Sequence, residues 1–311
     1  MTPGRQNGRQ NAGERSGLLY GLGAYGSWGV FPAFFPLLKP AGPTEILAHR
    51  VLWTVVFMTG VLAVGRRFGD IRRVGPRTWA LLACASALIS TNWLIYIYAV
   101  NSAHVVDAAL GYFITPLVSV LLGAAIFGER LNRVQSAAVG IAAVAVILLA
   151  AGAGGRPAIA LGLALSFALY GAVKKMVETD PRVSVALETA IAAPFALGYL
   201  AVLTYSGLSH FTNQGGGHLA LMLLCGPVTA IPLLFFASAA QRLPLVSIGL
   251  LQYLTPSMQM TWGLVVGYEP MSAPRWAGFA LIWLALAMFT VEAISRAFRN
   301  RRGRPGSLHP S

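Results

Sequence analysis

The chain has 311 residues, 56% of them hydrophobic and 11% charged, with a formal net charge of +13. A soluble domain carries about 25% charged residues, so this composition excludes an ordinary water-soluble domain and points to a surface that faces lipid. Nothing in the chain resembles a nucleic-acid module, and its basic excess has to be explained another way.

Polar breaks divide the sequence into ten apolar stretches, each of about 17–25 residues, the length of a helix that crosses a hydrocarbon core. They run over 17–37, 44–64, 78–100, 104–126, 133–151, 157–174, 184–205, 218–240, 243–266 and 273–295. Period-2 alternation is absent and the runs are too long for strands. The expected fold class is therefore all-α and polytopic. Residues 1–16 and 297–311, rich in Arg, Gly, Asn, Gln and Pro, read as flexible cytoplasmic tails.

In the first stretch, Gly17 and Gly21 have the small-xxx-small spacing that lets helices approach closely, and Tyr25 and Trp28 follow. The second stretch opens on "TEILAHRVLW" (44–53), which carries Glu45, His49 and Arg50 into a run that is then apolar to Val64. Glu45 and His49 are four apart and share a face, where they are expected to touch. Arg50 lies about 100° round the helix. Charges inside a span are costly and face a cavity or each other. Asn92 in the third stretch and Asp107 in the fourth, one turn from His104, reach a similar level. The functional reading is a polar vestibule that binds or gates a polar solute. The structural alternative is an ion pair at a helix end, with Arg50 paired to an acid on a neighbour and Asp107 capping its own helix.

Further along, Tyr112, Phe113, Thr115 and Pro116 stand mid-stretch, and Gln252, Tyr253, Thr255, Pro256 and Gln259 do the same in the ninth. A mid-helix proline removes one backbone hydrogen bond and kinks the helix, so Pro116 and Pro256 are expected kinks. The freed carbonyl needs a threonine, water or ligand as partner. With Trp28, Tyr25 and Tyr170 these residues are expected to wall a cavity with aromatic rings and a few uncharged polar groups, suited to a small amphipathic solute. The competing reading is ordinary packing. Glu188, near the start of the seventh stretch, is the inner counterpart of the Glu45 cluster, or else an interfacial acid near Lys174 and Arg182. Glu45, His49, Asp107 and Glu188 are the candidate proton carriers in or near the spans. Glu292 reads as interfacial.

The two halves repeat. At an offset of 140, "GYFITPLVSV" (111–120) lies over "LQYLTPSMQM" (251–260), and Thr115/Thr255, Pro116/Pro256, Gly123/Gly263 and Glu129/Glu269 coincide. Five spans per half is an odd number, so the second half enters the membrane upside down. Inverted repeats are characteristic of secondary transporters, whose site lies between the halves. Residues 17–151 form the first five-helix repeat and 152–296 the second, inverted one.

With the N-terminus in the cytoplasm, 19 of the 23 Lys and Arg residues fall in inner segments and 3 in outer ones, with Arg50 inside a span. That is a strong positive-inside asymmetry, and it predicts two cytoplasmic termini. Membrane lipids and a small-molecule substrate are the expected partners; the oligomeric state stays open.

The strings "ILAHRVLW", "STNWLIYIYAVNSAHVVDAALGYFITPLVSVLLGAAIFGERL" and "ALGLALSFALYGAVKK" closely resemble the RarD proteins, in the EamA branch of the drug/metabolite transporter superfamily. The resemblance spans about 17–295. It implies ten helices in inverted repeats and an inner-membrane permease, of a kind often labelled by chloramphenicol. "FGER" (127–130) matches the family's Gly-Glu element, whereas "GYEP" (267–270) keeps the Glu without the Arg.

No Walker A pattern, HExxH, GxSxG or Cys/His metal set occurs in the sequence. The expectation is a non-enzyme with no cofactor and no metal, driven by a proton or substrate gradient. It would export small amphipathic metabolites or drugs, phenicol-like or amino-acid-like. A lipid-type flippase or a non-transporting receptor is the alternative.

Overall fold

A computed structural model of the chain describes residues 3–127, 133–151, 157–240 and 251–302. The long helices are α1 (Pro3–Gly29), α2 (Pro43–Val64), α3 (Pro76–Asn101), α4 (Val105–Phe127), α5 (Arg133–Ala151), α6 (Pro157–Lys175), α7 (Pro181–Tyr205), α8 (Gly215–Ala240), α9 (Leu254–Val265) and α10 (Ala273–Arg302). Among the described residues there is no strand. Glu129, Arg130 and the rest of "GER", together with 152–156, 241–250 and the tail from 303, lie outside them.

Local sequence explains the helix starts. Proline is the first residue of α2, α3, α6 and α7, where its missing N–H costs nothing and its fixed φ suits a helix. Asp180 caps α7, accepting the Arg182 amide at 2.9 Å. This contact and the Arg182 guanidinium hold its carboxyl below the usual range. α1 takes in most of the segment read above as tail, and it ends at Gly29 because Pro32 follows. Pro32 cannot donate to the carbonyl four residues back, that of Trp28. Gln259 Nε2 from α9 donates to that carbonyl at 3.2 Å instead.

Five helices, Pro43–Val64, Pro76–Asn101, Pro157–Lys174, Pro181–Tyr205 and Gly215–Phe236, are long and apolar enough to cross a membrane. Large apolar side chains such as Leu19, Ile147, Phe195, Val202 and Val291 point outward. Outward apolar surface on this scale belongs against lipid, and the protein is a multi-pass membrane protein.

The main packed pairs are α4 with α6, α5 with α10, α2 with α7, α2 with α8, α1 with α8, α3 with α6, α4 with α9, α1 with α9 and α3 with α7. Replacing each helix by the one five places along returns the same set. The α4–α6 pair becomes α9–α1, α1–α8 becomes α6–α3, and α2–α8 becomes α7–α3. The pairs α2–α7, α4–α9 and α5–α10 map onto themselves. Small residues allow the close approaches: a Cβ on Gly263 would sit 2.7 Å from Val106 Cγ2, and one on Gly111 would sit 2.7 Å from the Ala160 carbonyl oxygen. Gly263 is thus a contact position between α9 and α4.

Candidate functional site

The head of α2 is buried, not solvated. Glu45, His49 and Arg50 are each 2–3% exposed. Glu45 does not pair with His49. Its carboxylate accepts the His210 backbone N–H at 2.7 Å and meets His210 Nδ1 at 2.8 Å. The loop between α7 and α8 therefore folds over the start of α2. His49 stacks on Phe211 from the same loop, with ring centroids 4.4 Å apart, and accepts from Trp53 Nε1 at 3.3 Å. The shared helix face was real, but the loop supplied a better-placed partner for the acid.

Arg50 does not form the ion pair of the structural alternative: among the described residues no carboxylate pairs with it. Its Nε donates to Thr229 Oγ1 of α8 at 2.7 Å. The guanidinium lies over Trp93 of α3 at 4.0 Å and over Phe31 and Phe35 at 5.4 Å each. These rings attract the cation through their quadrupoles. Nη1 is buried without a hydrogen-bond partner.

Close by, Asn92 gathers three helices. Its Nδ2 donates to Leu163 O at 3.1 Å and Ser166 Oγ at 3.0 Å in α6, and its Oδ1 accepts from Tyr112 in α4 at 3.1 Å. Tyr96 stacks between Phe35 and Tyr112, at centroid distances of 6.0 and 5.8 Å. The Tyr96 hydroxyl and Gln259 Oε1 are buried and unpartnered. From α1, Trp28 packs edge-on to Tyr25. Thr255 donates to Tyr25 O at 2.7 Å, beside the Gln259 bond to Trp28 O. Thr115 instead donates to Gly111 O of its own helix at 3.0 Å, so the two repeat-related threonines do different things.

The proline expectations split in the same way. Pro116 lies inside α4. Pro256 is not mid-helix: the helix breaks at Tyr253 and Pro256 sits in the first turn of α9, where proline is tolerated. Gln252 and Tyr253 are half-buried at this break, and Tyr253 packs on the core of α4, α5 and α10.

Glu188 of α7 is the centre of a second polar cluster. It accepts from Lys174 Nζ at 2.5 Å, Ser184 Oγ at 2.7 Å and Tyr170 Oη at 3.1 Å. It is 4% exposed, and its ion pair is with Lys174, the cation that the interfacial alternative placed nearby. Val51, Ser86, Trp93, Tyr170, Glu188 and Thr189 line a crevice of about 10 Å³, room for about one water. Of the residues expected to wall an aromatic cavity, Tyr170 lines this crevice.

Asp107 forms a buried ion pair with Arg275 of α10, which also donates to Pro270 O at 3.0 Å. The cap of α4 comes from elsewhere: Glu269 accepts the amides of Val105 and Val106 at 2.6 and 2.9 Å. These contacts tie α4 to the segment between α9 and α10.

Residues 15–151 match the EamA-like transporter family. "Protein RarD" of Streptomyces exfoliatus is 49% identical over 290 residues, 93% of this chain and 92% of that protein. "Uncharacterized transporter YojE" of Bacillus subtilis is 42% identical over 92% of this chain and 97% of its own length. "Protein RarD" of Escherichia coli is 38% identical over 90% and 95%. This chain belongs to the RarD group of EamA-type drug/metabolite transporters. A solved crystal structure, 18% identical, superposes with a TM-score of 0.60 over 89% of this chain and 98% of its own, so the fold is shared more widely than the sequence.

For a membrane transporter, the arrangement has one notable feature: helices far apart in sequence meet at Arg50. From α2 it reaches Trp93 of α3, Thr229 of α8, and Phe31 and Phe35 in the segment before α2. Sequence reasoning named Arg50, Asn92, Tyr112 and Glu188, and the structure gives each a polar role between helices. It missed Trp93, Thr229, His210, Lys174 as a direct partner, and Arg275. The signal for Trp93 was its neighbour Asn92, one residue away. Thr229 and His210 carried none, since only the fold brings residues about 160–180 apart in sequence to α2.

Proposed function

We propose that this protein is a secondary transporter that moves small amphipathic metabolites or drugs, phenicol-like or amino-acid-like, out of the cell. Ten spans form two inverted five-helix repeats in a bacterial-type inner membrane, with both termini in the cytoplasm. Alternating access comes from exchange of the packing between the repeats. The exchange-invariant set of helix pairs and the repeated Thr-Pro positions support this arrangement.

The observation that carries the reading is Arg50, a buried guanidinium with no carboxylate partner among the described residues, held by residues of both halves. In the proposed orientation α2 starts at the outer face. The Glu45–His210 contact then closes the outer side. The Glu188–Lys174 cluster, on the repeat-related α7, closes the inner side. Trp28, Asn92, Tyr112, Thr115, Gln252, Tyr253 and Thr255 border the path or set its helices, and proton coupling falls to Glu45, His49, Asp107 or Glu188.

A second reading, lipid translocation, is favoured by one feature. An apolar groove of about 450 Å³ opens between α2, α3 and α6, lined by Pro43, Leu94, Ile95, Tyr98 and Ile159.

Proteoliposomes decide between them. Uptake of chloramphenicol and a panel of labelled amino acids is followed with and without an imposed pH gradient, alongside scrambling of a labelled phospholipid. Protein-dependent solute uptake without scrambling is expected. Scrambling with no uptake from the panel would favour the flippase.

A further inference from the structure

We infer that the Arg50 guanidinium, with the rings and polar groups packed around it, binds the carboxylate of a small organic anion with an apolar body. This rests on the transporter reading for its purpose, but on the geometry of Arg50 for its chemistry.

The other buried acids are taken. Glu45 meets His210, Asp107 meets Arg275, Glu188 meets Lys174, and Glu269 caps α4. Arg50 is as buried as any of them, yet its only protein acceptor among the described contacts is the neutral Thr229 hydroxyl. Taking a guanidinium out of water is expensive without a counter-charge, and aromatic faces offset only part of that cost. An arginine is also the side chain best shaped to hold a carboxylate, through its planar fork of donors.

The surroundings match such a ligand. Arg50 Nη1 is buried with no protein acceptor, and the Tyr96 hydroxyl lies beside the Gln259 side chain. Both groups border Phe35. Gln259 Oε1 is a free acceptor near Tyr96, and it suits an N–H or O–H on the same solute. Trp93, Phe35 and Tyr112 supply faces for an apolar body. A neutral amide in place of the carboxylate would leave the guanidinium charge uncompensated, so it should bind far less well. Entry requires the closed packing around Trp93 to part, as an alternating-access cycle provides.

The test uses the full-length protein in lipid nanodiscs and matched pairs of probes: benzoate with benzamide, and 3-phenylpropionate with its amide. Thermal melting and tryptophan fluorescence are read together. The acids should raise the melting temperature and change the fluorescence, and the amides should act at least about tenfold more weakly. Arg50→Gln should abolish the response. Because that variant risks misfolding, Thr229→Asp is the second arm. It sets a fixed carboxylate beside Arg50 Nε, so it should melt no lower than wild type and lose the acid response. Equal action of acid and amide, no acid response in wild type, or an acid response that survives Thr229→Asp would each overturn the inference. Acid binding without transport would count against the transporter reading alone. Transport of neutral solutes without acid binding would count against this inference alone.

Discussion

The guanidinium carbon of Arg50 lies 4.0 Å from the centroid of the Trp93 ring, nearer than to Phe31 or Phe35. The same indole lines the water-sized crevice that holds Glu188. One ring thus borders both a buried cation without a counter-charge and the acid of the second cluster. Trp93→Ala should join the two spaces. We expect reaction of a cysteine placed at Ser90, in the crevice wall, with a small water-soluble maleimide to rise several-fold. Stability should fall by about 3–5 kcal/mol, and Trp93→Phe should retain most of it. Unchanged labelling in the alanine variant would mean that Trp93 does not separate the spaces.

Asp107 and Arg275 form a clamp between α4 and α10. Breaking a buried pair from one side leaves a stranded charge and costs about 3–5 kcal/mol, whereas removing both partners costs less. Asp107→Asn and Arg275→Gln should each lower the melting temperature, and the double variant should melt above the worse single one. If Asp107 were instead a proton carrier, Asp107→Asn would abolish the gradient dependence of uptake while leaving stability near wild type.

Glu269 accepts two amides at the start of α4, where a negative charge also meets the positive end of the helix dipole. Glu269→Ala should destabilise by about 1–2 kcal/mol, the range for a lost helix cap. Glu269→Gln should fall between, since it keeps one acceptor oxygen and loses the charge. Hydrogen exchange at the Val105 and Val106 amides reads this directly, and protection unchanged in the alanine variant would contradict it.

The clusters on α2 and α7 should act reciprocally. With a cysteine at Thr229 as reporter, Glu45→Gln should increase labelling from the outside of oriented vesicles. Glu188→Gln should increase labelling from the inside. Both variants exposing the reporter to the same side would sink the assignment of the clusters to opposite faces.

Much of this was legible in the sequence where a local rule applied. Helix starts followed from proline, and helix extent followed apolar run length in α2, α3, α6 and α7, whereas α1 runs from Pro3 to Gly29 and the ninth apolar run is broken at Tyr253. The polar residues of "TEILAHRVLW" were correctly marked as out of place, because a charge inside a span needs a reason. Their partners were not legible. Glu45 had His49 on its own face, and only the fold brought His210 closer. The structural alternative paired Arg50 with an acid, and Arg50 instead meets three rings and a hydroxyl, which no spacing rule anticipates. Pro256 reads like Pro116 by position, yet the helix breaks at Tyr253 before reaching it. The Thr115 and Thr255 hydroxyls look equivalent in sequence, but only Thr255 faces a neighbouring helix whose carbonyl lies within reach.

The most direct measurement is uptake of the same solute panel into proteoliposomes by wild type, Arg50→Gln and Arg77→Gln at matched protein density. Arg77 is an exposed arginine at the start of α3 and serves as the charge control. The account predicts that Arg50→Gln lowers uptake by at least about tenfold, the scale of one lost charge-assisted contact, while Arg77→Gln stays within twofold of wild type, an order-of-magnitude margin for a surface change. Equal uptake by all three proteins would contradict it and remove Arg50 from the transport path.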